Sequence, residues 1–425
     1  MTSKTPLTKN QVRGFWAAWS GWALDGMDSF IYALVMVPAL RELLPRSGIP
    51  ATPENLGYYG GLLFALFLVG WGLSLLWGPV ADRFGRMKTL MLTIACYSIF
   101  TFLGSVATGV WTLAAFRLLA GIGIGGEWSM GGTFVAEEWP EDRRKMAAGA
   151  MHTGYYVGFF LAAIANYTIG ARWGWRAMFA LGGTPALLVA FIRYGVAESK
   201  RWQSREEDHR STMGRAFLML FSRLYRRRTV LNSLYILVSI IGLWAGSVYV
   251  PAAVTFLAAR AGHPAPQAAR LASFATMLLS AGTILGCLAL PALAERLGRR
   301  MTLGLYFSLM FAFIVLGFGY AFYLEHGALQ AFLVCLFFLG VGGANFAMYT
   351  LWLPEQYTTN CRASAIAFIS SVGRFVGVAM VFLVGAEIQR YGSLGVPVAI
   401  TATAFLIGLA ILPFAEETKG KLLPV

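Results

Sequence analysis

Long apolar runs alternate with short polar breaks along this chain. About 12 of the runs approach the ~20 residues that a helix needs to cross a bilayer. They cover 15–38, 57–80, 89–109, 111–136, 146–169, 176–195, 230–256, 271–294, 301–323, 329–352, 363–388 and 395–414. The longest polar stretch, 196–229, divides six runs from six. The pattern predicts an all-α membrane protein with one six-helix bundle over 1–195, a linker over 196–229 and a second six-helix bundle over 230–425. The polar N-terminus passes near Val12 into the first run without a small-residue cleavage site, so that run reads as a span and not as a removable leader.

The breaks repeat. Gly78-Pro-Val-Ala-Asp82-Arg83-Phe-Gly85-Arg86 follows the second run, and Pro291-Ala-Leu-Ala-Glu295-Arg296-Leu-Gly298-Arg299 follows the eighth. Asp82 and Glu295 lie 213 positions apart, close to half of the 425 residues. Glu137…Arg144 after run four matches Glu355…Arg362 after run ten, with seven residues from Glu to Arg in both. Gly154-Tyr155-Tyr-Val-Gly158 echoes Gly373-Arg374-Phe-Val-Gly377. A duplication of six spans fits two pseudo-twofold bundles around a central cavity, the build of a secondary transporter. In such a build Asp82, Arg83, Arg86, Glu137, Arg144, Glu295, Arg299, Glu355 and Arg362 are gating candidates. They sit at helix ends, where charge contacts can form and break as the inner mouth closes and opens.

Composition agrees: 57% of residues are hydrophobic and 13% charged, with mean hydropathy +0.63. The net charge of +14 would suit a nucleic-acid partner, but its placement does not. With the N-terminus inside, 25 of the 34 basic residues fall in cytoplasmic segments and seven in outer loops. That is the positive-inside rule, and it predicts cytoplasmic termini, a lipid bilayer as the surroundings and no nucleic acid. The four Cys are scattered and the four His dispersed, with no metal or redox spacing, so no cofactor is expected. Gly121-Ile-Gly-Ile-Gly-Gly126 lacks the preceding strand and following Lys-Ser/Thr of a nucleotide loop. Its Gly121-x-x-x-Gly125 spacing predicts close helix packing instead.

Ionisable groups inside spans are costly and face a cavity or a partner. Here they are Asp25, Asp28, Arg117, Glu127 and Arg374, with Glu387 near the outer end of span eleven. Asp25 lies ~15 Å into span one, near the midplane, and Asp28 shares its face three residues on. Two carboxylates side by side in a poorly hydrated cavity do not readily ionise together, so one can take up and release a proton. The plainer role is a cap at Gly26 or a pairing with a structural Arg. Arg374, near the midplane of span eleven, offers a fixed cation whose planar fork matches a carboxylate. That carboxylate belongs either to a substrate anion or to Asp25 or Asp28. Arg117 and Glu127 lie ~15 Å apart along span four and some 80° around it. Glu127 is a second proton acceptor or an inner-gate partner, and structural pairing suits both residues equally. Tyr155, Trp244 and Asn345 are candidates for lining the cavity, whereas His152, near the start of span five, reads as an interfacial residue.

The loop from Gly78 to Arg86 resembles the signature loop of the major facilitator superfamily, with 291–300 as its counterpart. Trp22-Ala-Leu-Asp25-Gly-Met-Asp28, the stretch from Arg117 to Glu127, Glu137-Glu-Trp-Pro140 and Trp173-Gly-Trp-Arg176 resemble the sialate:proton symporter family, which includes sialic-acid and lactate permeases. Aromatic-acid:proton symporters share an Asp-Gly-x-Asp in span one. The resemblance implies a twelve-helix carrier of a bacterial inner membrane, moving a small organic anion such as a monocarboxylate together with a proton, and with no motif that demands a subunit partner a monomer is expected. It also links Arg117 to proton coupling. Sialic-acid permeases of this type are expected to carry extra central spans, for which 196–229 is too short, and that favours a smaller acid. A sugar or polyol porter would share the Glu…Arg loops, but a midplane Arg374 weighs against it. A non-transporting sensor would need a long soluble extension, and an enzyme would need a clustered nucleophile and base.

Overall fold

A computed structural model describes residues 5–204, 213–247, 249–391 and 393–424. Among them there is no strand. The helices of the first half are α1 (Lys9–Arg46), α2 (Pro53–Leu73), α3 (Trp77–Phe84), α4 (Arg86–Gly104), α5 (Val110–Glu138), α6 (Glu141–Ala165), α7 (Ala171–Leu181) and α8 (Ala186–Gly195). The short α9 (Lys200–Gln203) and α10 (Met213–Met219) follow. The second half holds α11 (Arg226–Ser247), α12 (Val250–Arg260), α13 (Ala265–Arg296), α14 (Arg299–Ile314), α15 (Ala328–Gly343), α16 (Asn345–Trp352), α17 (Arg362–Tyr391), α18 (Gly395–Thr401) and α19 (Thr403–Ile411).

Every expected span carries helix, but not every span is one helix. Eight stretches among the described residues are long and apolar enough to cross a bilayer, and α1 is a ninth if its two halves count together. The halves of α1 meet at 47° between Tyr32 and Leu34. Pro38 explains the bend, because its ring crowds the carbonyl four residues back, that of Leu34. Span six divides into α7 and α8 around the turn at Gly182–Pro185, and span seven into α11 and α12, where Pro251 opens the second piece. Span five, α6, begins with the charged turn Glu141–Lys145, which lowers its apolar content.

The chain forms two compact units. One runs to Thr229 and includes Leu353–Phe375 and the residues from Leu422; the other holds Val230–Trp352 and Val376–Lys421. In the first unit α1 packs along α5 and α6, and α5 along α2 and α4. A Cβ on Gly70 would overlap the Leu118 carbonyl, and one on Gly121 the Phe67 carbonyl, so glycine sets the α2–α5 spacing, as the Gly121-x-x-x-Gly125 pattern predicted. In the second unit the same device recurs between α13 and α15: Gly282 meets the Phe337 carbonyl and Gly340 the Leu279 carbonyl. Apolar side chains such as Ile31, Val35, Leu40, Leu63, Leu113 and Phe179 fill the first unit near the C-terminal half of α1. That packing holds the helices bearing the buried charges.

Candidate functional site

Two groups of buried charge lie in the first unit. One is in mid-span, between α1, α5, α6 and the middle of α17. The other is at the end of the unit that carries the α3–α4 loop.

In mid-span the charges sort into a pair and a remainder. Arg117 meets Asp28 at 3.5 Å, both fully buried. Its guanidinium also lies 4.1 Å from the centre of the Phe67 ring and 4.7 Å from that of Tyr32. Such desolvated cation–π contacts contribute about 2 kcal/mol, so Arg117 is tied down by three neighbours. Asp25 points elsewhere. Its carboxyl lies against that of Glu127, with Tyr97 of α4 beside Glu127 and with Asp28 and Arg374 in electrostatic range of Asp25. None of the four carboxyl oxygens of Asp25 and Glu127 has a hydrogen-bond partner among the described residues. Arg117 and Glu127 diverge around α5, yet both reach α1, because Arg117 extends a long side chain to Asp28 while Glu127 fits directly against the helix.

Arg374 is the second mid-span cation. Its guanidinium stacks 4.3 Å from the centre of the Trp71 ring and donates to the Ser370 carbonyl. Among the described residues it forms no ion pair, although Asp25 and Tyr155 lie in electrostatic range. Tyr155 stacks on Trp22 with centroids 4.7 Å apart, and the indole N–H groups of Trp22 and Trp71 are buried without an acceptor among the described residues. Buried donors are normally satisfied, so this spare capacity marks a place where a ligand oxygen can be received. His152 is buried against Trp22 and Tyr156 and is not at an interface, because α6 turns it inward. Asn345 is buried in the other unit, where its amide nitrogen donates to the Gly342 carbonyl. The Trp244 side chain lies outside the described residues.

At the loop end the gating residues converge on Glu137. Arg86 donates to both of its oxygens, at 3.0 and 2.9 Å, Arg362 donates at 2.8 Å and the Ser199 hydroxyl at 2.6 Å. Asp82 pairs with Arg86 at 3.2 Å and accepts from the backbone and hydroxyl of Ser364 at 2.9 and 2.6 Å. Arg144 lies between Glu141 and Glu355, 3.6 Å from the latter. Arg83 and, in the other unit, Glu295 are exposed.

Each loop of the duplicated pair turns at a glycine with positive φ, Gly85 at 113° and Gly298 at 87°. Each hands the following helix N-terminus to a carboxylate. The amide of Met87 donates to Glu198, and those of Arg299 and Arg300 donate to Glu417, at 3.0 to 3.1 Å. An acid at a helix N-terminus satisfies free N–H groups and the helix dipole together. Sequence reasoning missed both acids and also Ser199 and Ser364. A signal existed: Glu198-Ser-Lys200 and Glu417-Thr-Lys419 are a fourth repeated pair, 219 positions apart.

The sequence matches the profile described as Major Facilitator Superfamily over residues 18–380. The chain belongs to the major facilitator superfamily. This superfamily member is therefore a multi-pass membrane transporter and not an enzyme. It is 29% identical to a Cupriavidus pinatubonensis protein described as "Probable 4-methylmuconolactone transporter", over 96% of this chain and 91% of the relative. It is 25% identical to the sialic acid transporter NanX of Escherichia coli, over 97% and 95% of the two chains. That near-complete overlap corrects the expectation from length, since a sialic acid carrier need not hold extra central spans. Among solved structures, the proton:xylose symporter XylE bound to 6-bromo-6-deoxy-D-glucose superposes with a TM-score of 0.80 at 20% identity, covering 97% of this chain and 98% of that one. At that identity the likeness establishes the fold alone.

Proposed function

We propose that this major-facilitator protein is a proton-coupled symporter of a small organic anion. The reading rests on one observation: among the described residues Arg374 is a buried guanidinium that forms no ion pair, in electrostatic range of a buried pair of carboxyls, Asp25 and Glu127, that form none either. The remaining pair, Asp28 and Arg117, neutralises itself. With Asp25, Glu127 and Asp28 ionised against Arg117 and Arg374, the site carries one excess negative charge, which a single proton cancels. An incoming carboxylate at Arg374 restores the excess and draws in another proton. Anion and proton therefore favour each other's binding, which is the linkage that symport requires. Buried charge is expensive in the membrane, so the neutral combination is the one that can be occluded.

The aromatic faces of Trp22, Tyr155 and Trp71 near Arg374 suit a planar or ring-bearing acid, and the unpartnered indole N–H groups suit its oxygens. The relatives' described cargoes, a lactone and sialic acid, are of this general kind. In the bacterial inner membrane, with cytoplasmic termini, the halves 1–195 and 230–425 would alternate access as a monomer. The Glu137 cluster would then be the inner gate.

The test is proton movement into liposomes that contain the purified protein and an internal pH dye. Lactate, benzoate, sialate and glucose are added in turn, with protein-free liposomes correcting for passive leak. Protein-dependent acidification by one of the acids, abolished in Arg374→Gln, is the expected result. Uptake of labelled glucose with no response to any acid refutes the reading.

A further inference from the structure

We propose that Gly21 is a positioning residue for proton coupling: its missing side chain is the seat that holds the Glu127 carboxyl against Asp25. The inference rests on the symport reading for its functional meaning but on geometry for its substance. A Cβ built on Gly21 would overlap Glu127 Oε1 outright and lie 2.7 Å from its Cδ and 3.5 Å from its Cγ, and these are the three nearest atoms to it. The Glu127 carboxyl thus occupies the volume that any other residue at position 21 would fill.

Gly21 stands one helical turn before Asp25, on the same face of α1. A carboxyl docked over Gly21 is thereby presented to Asp25. Other α1 glycines serve different ends. Gly26 makes room for the Tyr155 backbone, and Gly14 for the Phe134 ring. From α5, the close approach is prepared by Gly125, which meets Ser74 and Trp71, and by Gly126, which meets Thr93 and Trp77.

The groups around the two carboxyls come from every packed helix. Asp28 lies on α1 itself, Tyr97 on α4, Tyr155 on α6 and Arg374 on α17, with Arg117 of α5 one step away on Asp28 and His152 of α6 one step away on Trp22. Asp28 and Arg117 engage each other, and Arg374 lies over Trp71. The proton that Asp25 and Glu127 share is therefore governed by how close the two carboxyls sit, and Gly21 sets that distance. In Gly21→Ala the Glu127 carboxyl must retreat, and a misplacement of about 1 Å at a reacting group can cost on the order of 10²-fold. Shortening the acid by one methylene, about 1.5 Å, returns room for the new methyl.

The experiment compares wild type, Gly21→Ala, Glu127→Asp and the double variant Gly21→Ala/Glu127→Asp as purified full-length proteins. Infrared difference spectra across a pH titration follow the carboxyl band, assigned by its loss in Asp25→Asn and Glu127→Gln, and need no substrate. Liposome uptake of whichever acid drives protons in wild type is measured alongside. The expected result is a displaced titration midpoint in Gly21→Ala, with pH-driven accumulation lowered by on the order of 10²-fold and more than exchange is. Both should move back toward wild type in the double variant. A wild-type titration in Gly21→Ala, or a double variant no nearer to wild type than the single, overturns the proposal. Should Gly21→Ala fail to fold, recovery of folded protein by Glu127→Asp supports it. No recovery overturns it, because the methyl is then refused by something other than Glu127. If no acid moves protons in wild type, the symport reading falls, and the infrared titration still judges Gly21.

Discussion

Glu137→Gln is the sharpest probe of the loop-end cluster. Oε2 of Glu137 accepts from Arg86 and Ser199, and Oε1 accepts from Arg86 and Arg362. The substitution turns one oxygen into an NH2 group, so whichever way the amide lies, at least one buried guanidinium N–H faces a donor. The cluster of Arg86, Arg362, Asp82 and Glu137 also changes from balanced to one net positive charge. Removing one partner of a buried pair costs about 3–5 kcal/mol, and each 1.4 kcal/mol is tenfold in population. The loop end should then open roughly 10²- to 4 × 10³-fold more often. Cys361, fully buried beside Arg362, reports that opening. The assay is the rate of Cys361 alkylation by a maleimide, read by peptide mass spectrometry in detergent and in liposomes, with Glu137→Asp keeping the charge as a control. A rise at least tenfold larger in Glu137→Gln than in Glu137→Asp is expected. If Cys361 labelling in Glu137→Gln stays within a factor of about three of wild type, the charge of Glu137 is not what holds this end together.

The remaining predictions concern the other buried and capping acids. Asp25→Asn removes one of the two carboxyls that lack a cation, so it should keep counterflow between two substrate pools and lose accumulation driven by a pH gradient. Asp28→Asn leaves Arg117 buried and unpaired, so it should lower thermal stability by about 3–5 kcal/mol and impair counterflow as well; equal behaviour of the two variants would refute the division into pair and remainder. For Glu417, burial opposes ionisation, but the amides of Arg299, Arg300 and Lys419 outweigh it and hold the carboxyl below its ordinary range. A depressed carboxyl gives its full stabilisation above the unfolded value and loses it as pH falls through the folded one. Glu417→Gln should therefore cost about 1 kcal/mol near neutral pH, with the gap in melting temperature closing in acid, and a gap that ignores pH would count against the cap.

Which parts of this site could be read in the sequence follows from what each residue costs. Asp25, Asp28, Arg117, Glu127 and Arg374 stand out because a charge in an apolar run needs a reason. Their partners do not stand out. Spacing along one helix gives depth and direction, but whether Arg117 meets Asp28 or Arg374 meets Asp25 depends on how helices pack, and that is decided by glycines and rings. Trp22, Trp71 and Tyr97 were hidden for the same reason, since an aromatic residue in a membrane helix is ordinary. Gly21 was hidden more deeply, because a glycine has no chemistry of its own and acquires meaning only from the Glu127 carboxyl that fills its place. The loop residues were legible through duplication, which exposed Glu137 and Arg362 together.

The duplication shows where the halves differ, and the difference falls on the charges. The offset that maps Glu137 onto Glu355 and Arg144 onto Arg362 maps Arg117 onto Cys335 and Glu127 onto Asn345. The offset that maps Gly154 onto Gly373 maps Tyr155 onto Arg374. No acid occurs in α11, which opens the second half as α1 opens the first. The packing glycines and helix-capping acids, whose work is the same in both halves, are kept in both. The mid-span carboxyls Asp25, Asp28 and Glu127 fall in the first repeat, and Arg374, which forms no ion pair among the described residues, falls in the second. A symmetric set of buried charges would pair off and close on itself, as Arg117 and Asp28 do. An unequal division leaves one acid pair and one base without counter-charges among the described residues, which is what the proposed coupling of a proton to an anion requires.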